Sequence, residues 1–381
     1  MELSDVRAQI DEIDGQLLDL FVQRMNLARD VAASKVDTGK AVFDPVRERS
    51  KLAAIAAQSP DGLQNQSIAL FSLLMSMNKA EQLRIINGAK EQAQSKKMRA
   101  SYRALEDAFP TIATVCCQGV EGAYSQQAAC KLFDVPDITF SPTFEGVFEA
   151  VEAGTCQFGV LPIENSTAGS VNAVYDLLSR HHFSIVRSVR LKIDHNLLAK
   201  PGARLENIRE VVSHSQALNQ SRAFLNNLGV KTTVCENTAR AAELVASSER
   251  TDLAALSSFS CASLYGLIPL ARNVQDSDNN YTRFVVIARD PAIYPGANRS
   301  SIQLTLTSEP GALYRVLERI YALNIDLVKL ESRPVPGSDF EFMFYFDLSC
   351  AATSPAFATL LDSLDDLCDS FTYFGSYTEV L

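Results

Sequence analysis

The chain has 381 residues, of which 47% are hydrophobic and 21% charged, a balance that fits two or three folded domains and excludes a disordered protein. Its net charge of −10 argues against nucleic acid as a partner, and no apolar run nears the roughly 20 residues of a membrane helix. The N-terminus lacks a signal-peptide h-region, so no membrane partner is expected and a cytoplasmic enzyme is the default.

The first segment spaces its apolar residues as one long amphipathic helix: Val6, Ile10, Ile13, Leu17, Leu20, Leu27 and Val31. Continuing that seam lands on Arg24, a cation where an apolar side chain is expected, and such a charge is costly unless it meets an anion. Lys35 returns to within about 20° of the same face, about 16 Å along the axis. Arg7 lies about 25 Å from Arg24 and roughly 100° round the helix. One small ligand cannot touch both within a single chain, so Arg7 would serve a site shared with a second protomer in an intertwined dimer.

After Gly39, Asp44, Pro45, Arg47 and Glu48 open a second helix. A third helix is expected from 63 to 100. On its seam Asn78 and Gln82 replace apolar residues at i and i+4; such amides either set register, as in coiled coils, or meet a ligand. The charged stretch 84–107 reads as a solvated helical continuation and linker.

A β-branched strand at 111–117 then runs into a turn with Gly119 and Gly122, whose backbone N–H groups suit an anion. The third glycine of a dinucleotide fingerprint is missing. Helices and strands alternate from there. The segment 163–169, whose residues after Ile163 are polar or small, lies between an apolar strand and an apolar helix and has the look of a ligand loop. The stretch 211–216 carries Ser213, His214 and Gln216, and Thr282-Arg283-Phe284 precedes an apolar strand. The pattern predicts two α/β lobes around a cleft, with ligands at strand ends. The eight cysteines include no C-x-x-C pair and read as small hydrophobes in a reducing compartment, with neither a zinc site nor a disulfide framework.

Pro291, Pro295 and Gly296 mark a short linker. Residues 300–381 follow the order βαββαβ of a ferredoxin-like sandwich, with Gly311 at a strand-to-helix turn where a carboxylate could meet helix amides. The other face of this sheet is expected to be paired in a dimer.

Arg7, Arg24, Lys35, Asp44, Arg47, Glu48, Asn78 and Gln82 stand in the order and spacing of the all-helical chorismate mutase site. Residues 1–90 thus resemble the mutase domain of the bifunctional chorismate mutase/prephenate dehydratase family, the P-proteins. Residues 111–289 resemble the prephenate dehydratase domain through 119–125, 162–166, 213–216 and the Thr282-Arg283-Phe284 signature. Gly311-Ala312-Leu313 and Glu331-Ser332-Arg333-Pro334 resemble the phenylalanine-binding ACT module. Many relatives carry Ser where this chain has Asn78, and Pro at the places of Val120 and Ser215.

The resemblance implies a multidomain fold: a helical mutase domain (1–90), a helical linker (91–110), a two-lobed α/β dehydratase (111–289) and an ACT domain (300–381). It implies conversion of chorismate to prephenate and of prephenate to phenylpyruvate, with phenylalanine feedback, no metal or organic cofactor, and a homodimer or higher homo-oligomer. Arg7, Arg24 and Arg47 would bind carboxylates, Lys35 and Gln82 the ether oxygen, and Asp44 and Glu48 a hydroxyl or the cations. In the dehydratase, Thr282 would be the catalytic hydroxyl, orienting a hydrogen bond or relaying a proton from His214 or a water. Asn165, Ser166, Ser213, Gln216, Arg283 and Phe284 would line the cleft, with Arg283 binding a carboxylate or shaping the site. Phenylalanine would meet Gly311, Ala312, Leu313, Glu331, Ser332 and Arg333. Three alternatives stand beside this: an arogenate dehydratase, a non-catalytic amino-acid-binding middle domain, and a helical module that only dimerises.

Overall fold

The first helix, α1 (Leu3–Thr38), buries Ala28 and Ala32 completely, while its apolar seam stays outside: Val6, Ile10, Ile13, Leu17, Leu20, Leu27 and Val31 are between 36% and 61% exposed. The computed structural model describes residues 2–38, 44–87, 102–306, 311–335, 341–364 and 367–380. Two compact units divide the chain, 1–96 and 97–381. In the first, α1 and α2 (Pro45–Gln58) each pack on α3 (Gln64–Asn87). The two alanines put no long side chain between α1 and α3, which brings the Arg24 face of α1 close to its neighbour. The sequence reading ran the third helix to 100; it is helical to Asn87, and 88–101 lie outside the described residues.

The second unit opens with β1 (Arg103–Ala104) and β2 (Ile112–Gln118), followed by α4 (Tyr124–Leu132), β3 (Val135–Ser141), α5 (Phe144–Glu152) and β4 (Phe158–Asn165). Next come β5 (Gly169–Ser170), α6 (Asn172–His181) and β6 (Ser184–Lys192). The chain crosses to a second lobe of β7 (Asn196–Ala199), β8 (Glu210–His214), α7 (Ser215–Gln220), α8 (Arg222–Leu228) and β9 (Lys231–Cys235). That lobe ends in α9 (Thr238–Ser247), β10 (Leu253–Ser257), α10 (Ser260–Leu264) and β11 (Ile268–Ala271). The return strand is β12 (Tyr281–Ala288), and β13 (Ala292–Ile293) leads on. The last elements are β14 (Arg299–Leu306), α11 (Ala312–Ala322), β15 (Leu327–Pro334), β16 (Phe342–Leu348), α12 (Pro355–Leu364) and β17 (Cys368–Val380).

Two features depart from expectation. The segment 102–107, expected to be a helical linker, contains β1, which pairs with β13 in parallel. The 111–289 and 300–381 segments are also not separate sheets. Among the described residues one ten-stranded sheet runs β15-β16-β14-β17-β6-β12-β4-β2-β3, with β5 on β4, while the second lobe holds the five strands β11-β7-β10-β8-β9. The join is β17, antiparallel to β14 along most of its length and then parallel to β6 at 378–380. Nor is the far face of the C-terminal strands left for a partner. Tyr345, Phe374 and Tyr377 pack in one cluster with Val174 and Tyr175 of α6, and the Tyr175 and Tyr345 rings lie 4.6 Å apart.

Gly375 lets β17 make this crossing. It stands at φ +133°, and a Cβ there would collide with the Ile185 carbonyl of β6 and lie 3.0 Å from its nitrogen. Gly375→Ala is therefore expected to destabilise the second unit by about 1–3 kcal/mol. Chemical denaturation followed by near-UV circular dichroism checks this; an unchanged midpoint would contradict the crossing's dependence on a bare glycine.

Candidate active sites

In the helical unit two of the predicted cations, Arg24 and Lys35, share the α1 face that packs inward. Arg24 donates from Nη1 to the Leu74 carbonyl of α3 at 2.6 Å, and Asn78 Nδ2 reaches back to the Arg24 carbonyl at 3.4 Å. Burial lowers the Arg24 pKa from its ordinary value, and among the described residues no carboxylate pairs with it. Lys35 is likewise pulled down by burial and by Arg47, against the opposing pull of Asp44 and Glu48, so the helix-two residues read from the sequence lie in its field. Gln82 is buried and donates to Asn78 Oδ1 at 2.5 Å, while Glu48 pairs with Lys79 at 2.9 Å. Asp44 has a structural duty the sequence reading did not assign: its Oδ1 caps α2 by accepting from Arg47 N at 3.0 Å. Arg7 lies exposed on α1, apart from this cluster.

In the second unit a cavity of about 480 Å³ opens between the two lobes. Asn165, Gln216, Thr282 and Phe284 line it, as expected. Asn165 closes β4 opposite Thr282 on β12, and its Nδ2 donates to Thr282 Oγ1 at 2.9 Å. Among the described residues nothing accepts the Thr282 hydroxyl proton. This cross-strand pair sits where the two lobes are joined, because β12 is the strand on which the chain returns from the second lobe.

Three expected lining residues are elsewhere. Arg283, one residue from Thr282, points to the opposite face of the sheet, as alternation in a strand requires. It is 6% exposed and forms an ion pair with Asp347 of β16, with a second to Glu164 at 3.0 Å. Burial works against its charge, yet Asp347, Tyr377, Tyr175 and Glu164 outweigh that and hold its pKa well above the ordinary value. Ser213 is buried and donates to the Leu256 carbonyl at 2.6 Å. Ser166 is exposed and spent on strand ends, donating to the Asn279 carbonyl at 2.8 Å and accepting from Tyr281 N at 2.9 Å. The supposed ligand loop at 163–169 is strand as far as Asn165. The glycine amides are also committed, Gly119 N to the Ser141 carbonyl and Gly122 N to Gln126 Oε1.

The cavity also has lining residues that sequence reasoning missed: Tyr124, Ser125, His195, Gln220, Glu236 and Asn237. His214, expected only as a proton source, also lines it. Among the described residues that line it, none is Lys or Arg. In the C-terminal strands, Glu331 accepts from Ser170 and pairs with Lys329 at 3.2 Å, and Arg333 holds Asp176 of α6 at 2.7 Å. These two side chains of the predicted effector site are thus engaged with the central elements. Gly311 takes the expected turn at φ +82° before α11, with Ala312 buried and Leu313 packed in the C-terminal core.

Burial holds the His195 pKa below its ordinary 6.5; Gln220 and Asp194 oppose this and His214 adds to it. His214 is lowered by burial as well. As pH falls through about 6.5 the unfolded chain takes up these protons before the folded one. The stability they contribute is full above about pH 7 and declines below 6.5. The thermal midpoint should drop from pH 7 to 5.5, and His195→Gln should flatten that slope; an unaltered slope would contradict a buried neutral His195.

Two family profiles match the chain: Chorismate mutase type II over residues 6–83 and Prephenate dehydratase over residues 115–292. A bifunctional chorismate mutase/prephenate dehydratase of Pseudomonas aeruginosa is 31% identical over 100% of this chain and 98% of its own. Arogenate dehydratase/prephenate dehydratase 1 of Arabidopsis thaliana is 39% identical over 68% of this chain and 70% of its own. Among solved structures, one described as GqqA, a novel type of quorum quenching acylase, matches with a TM-score of 0.64 at 31% identity, covering 70% of this chain and 98% of its own. A prephenate dehydratase in complex with L-Phe from Arthrobacter aurescens matches with a TM-score of 0.63 at 25% identity, covering 70% and 89%.

Proposed function

Since the chain belongs to the bifunctional chorismate mutase/prephenate dehydratase family, we propose a division of labour in which its two compact units catalyse successive steps of phenylalanine biosynthesis. The helical unit rearranges chorismate to prephenate. The second unit removes carbon dioxide and the ring hydroxyl from prephenate to give phenylpyruvate. The observation that carries the second assignment is the Asn165–Thr282 pair in a cavity between two lobes.

The rearrangement needs neither a nucleophile nor a proton transfer, so the unit has to hold a compact dianion and stabilise the ether oxygen as its bond breaks. Arg24, Lys35 and Arg47 supply cations for the carboxylates, and Lys35 and Gln82 face the ether oxygen. Asp44 and Glu48 order those cations, and Asn78 orients Gln82. Arg7 completes the site of a second protomer, a reading supported by the exposed apolar seam that accompanies it on α1.

In the dehydratase step negative charge leaves the ring carboxylate as carbon dioxide departs and arrives on the leaving hydroxyl. A cation on that carboxylate would stabilise the ground state more than the transition state. The lining suits this flow of charge: it offers amide and hydroxyl donors and no cation. Thr282, whose Oγ1 lone pair is taken by Asn165, has its proton left for the departing oxygen. Backbone amides at the N-terminus of α4, which has no side-chain cap, and Gln216 hold the substrate's carboxylates.

The C-terminal module is read as a phenylalanine sensor of the ACT type. Ligand meets the chain at the Gly311 turn, and Glu331 and Arg333 carry the signal to β5 and α6 respectively. The enzyme works in the cytoplasm as a homodimer or larger assembly. A second reading for the central cavity is arogenate dehydration: Glu236 is a carboxylate in the lining, suited to arogenate's ammonium. The mutase cluster upstream favours prephenate, its own product.

Thr282→Ala should lower phenylpyruvate formation from prephenate by about 10²–10³ in kcat while leaving the mutase rate unchanged. Lys35→Ala should do the reverse, and retention of both rates in either variant would contradict these roles. A metal-free time course on chorismate should show prephenate and then phenylpyruvate, with added phenylalanine slowing only the second step. Faster turnover of arogenate than of prephenate would favour the second reading.

A further inference from the structure

The polar side chains around Thr282 form a chain of hydrogen bonds whose direction can be read from groups that only donate or only accept. The backbone amides of Thr167 and Ala168 donate to Asn165 at 3.1 and 2.9 Å, so the atom they meet is Oδ1 and Nδ2 faces Thr282. The Ile193 carbonyl accepts from Asn280 at 3.3 Å, which fixes that atom as Nδ2. The same Nδ2 donates to Gln220 at 3.1 Å, so Gln220 presents Oε1 there. His195 Nε2 meets this oxygen at 2.9 Å and therefore carries a proton.

From His195 every bond runs one way. Its Nε2–H donates to Gln220 Oε1, and Gln220 Nε2 donates to Thr167 Oγ1 at 2.5 Å. The Thr167 hydroxyl donates to Asn165 Oδ1 at 2.7 Å, and Asn165 Nδ2 donates to Thr282 Oγ1. The chain ends on the Thr282 proton at the cavity.

We infer that His195 is a positioning residue for the dehydratase step, holding the Gln220 amide and, through Thr167 and Asn165, aiming the Thr282 hydroxyl as a donor. This rests on the reading of Thr282 as the donor to the leaving hydroxyl. Asn280 fixes which end of the Gln220 amide faces inward. His195 fixes where the amide lies, because Gln220 ends the short helix α7 and is only half-buried. His195 is itself held rigidly: it is 2% exposed, and its backbone N–H donates to Gln275 Oε1 at 2.9 Å. Burial lowers the pKa of the ring, with Gln220 and Asp194 opposing this and His214 adding to it; the bond directions themselves require only that Nε2 carry a proton.

The test uses the full-length chain with prephenate as substrate. His195→Leu should lower kcat at least about tenfold with KM within about threefold and the mutase rate unchanged. His195→Gln, whose amide nitrogen can occupy the place of Nε2, should recover most of that loss. In a Thr282→Ala background, His195→Leu should cost nothing further, because both act through one hydroxyl.

Equal loss in both backgrounds, or a Gln variant as slow as the Leu variant, overturns the inference. Should His195→Leu fail to fold, Gln220→Glu stands in: it keeps the acceptor for His195 but cannot donate to Thr167. Full turnover in Gln220→Glu would overturn the inference as well. Loss at Thr282 with no loss at His195 sinks this inference alone, whereas loss at His195 with none at Thr282 sinks the reading of Thr282 beneath it.

Discussion

The pairing of β4 with β12 is the constraint on which the second unit depends. Two adjacent cross-strand pairs lie on it, Asn165 with Thr282 and Glu164 with Arg283. Because successive side chains of a strand face opposite ways, one pair enters the cavity and the other enters the buried ion cluster with Asp347. A register slip of one residue would exchange them, placing a guanidinium in the cavity and a hydroxyl in the core. Just after Arg283 the register shifts by one residue, Phe284 pairing with Pro162, so that Ile163 forms a bulge in β4. The polar centre of the cleft and the anchorage of the C-terminal strands are thus set by the same hydrogen-bonded ladder.

The two units meet the same chemical problem, a small dianion, in opposite ways. The helical unit gathers cations on one face and takes the desolvation cost on Arg24 and Lys35. Its reaction moves charge within a substrate that stays anionic throughout, so permanent countercharge serves both the ground state and the transition state. The lobed unit places its guanidinium behind the sheet and leaves neutral donors in the cavity, which suits a reaction whose carboxylate loses its charge.

Much of this was legible in the sequence, and the misses have physical causes. The spacing of α1 and the positions of Arg24 and Lys35 follow from helical periodicity, a local property. Where the apolar seam goes does not follow from it, since Ala28 and Ala32 form the intrachain contact and the larger residues face outward. Arg283 was misread although the alternation of a strand was available: neighbours in a motif need not share a face. Ser213 and Ser166 carry hydroxyls at strand ends, but each is consumed by a backbone partner distant in sequence. His195 and Gln220 gave no local signal, because their meaning lies in contacts between lobes. The fusion of the two predicted sheets rests on a parallel pairing between β6 and β17, which no short-range pattern reports.

That pairing has a consequence for biogenesis. β17 lies between β14 and β6, so both present open hydrogen-bonding edges until residues 368–380 have been made. Ribosomes deliver β6 long before β17, at about 5–20 residues per second. For that interval the nascent unit carries the kind of unpaired edge that recruits other chains. The late arrival of a central strand makes the synthesis of residues 368–380, not the completion of the catalytic lobes, the moment at which these two edges are covered.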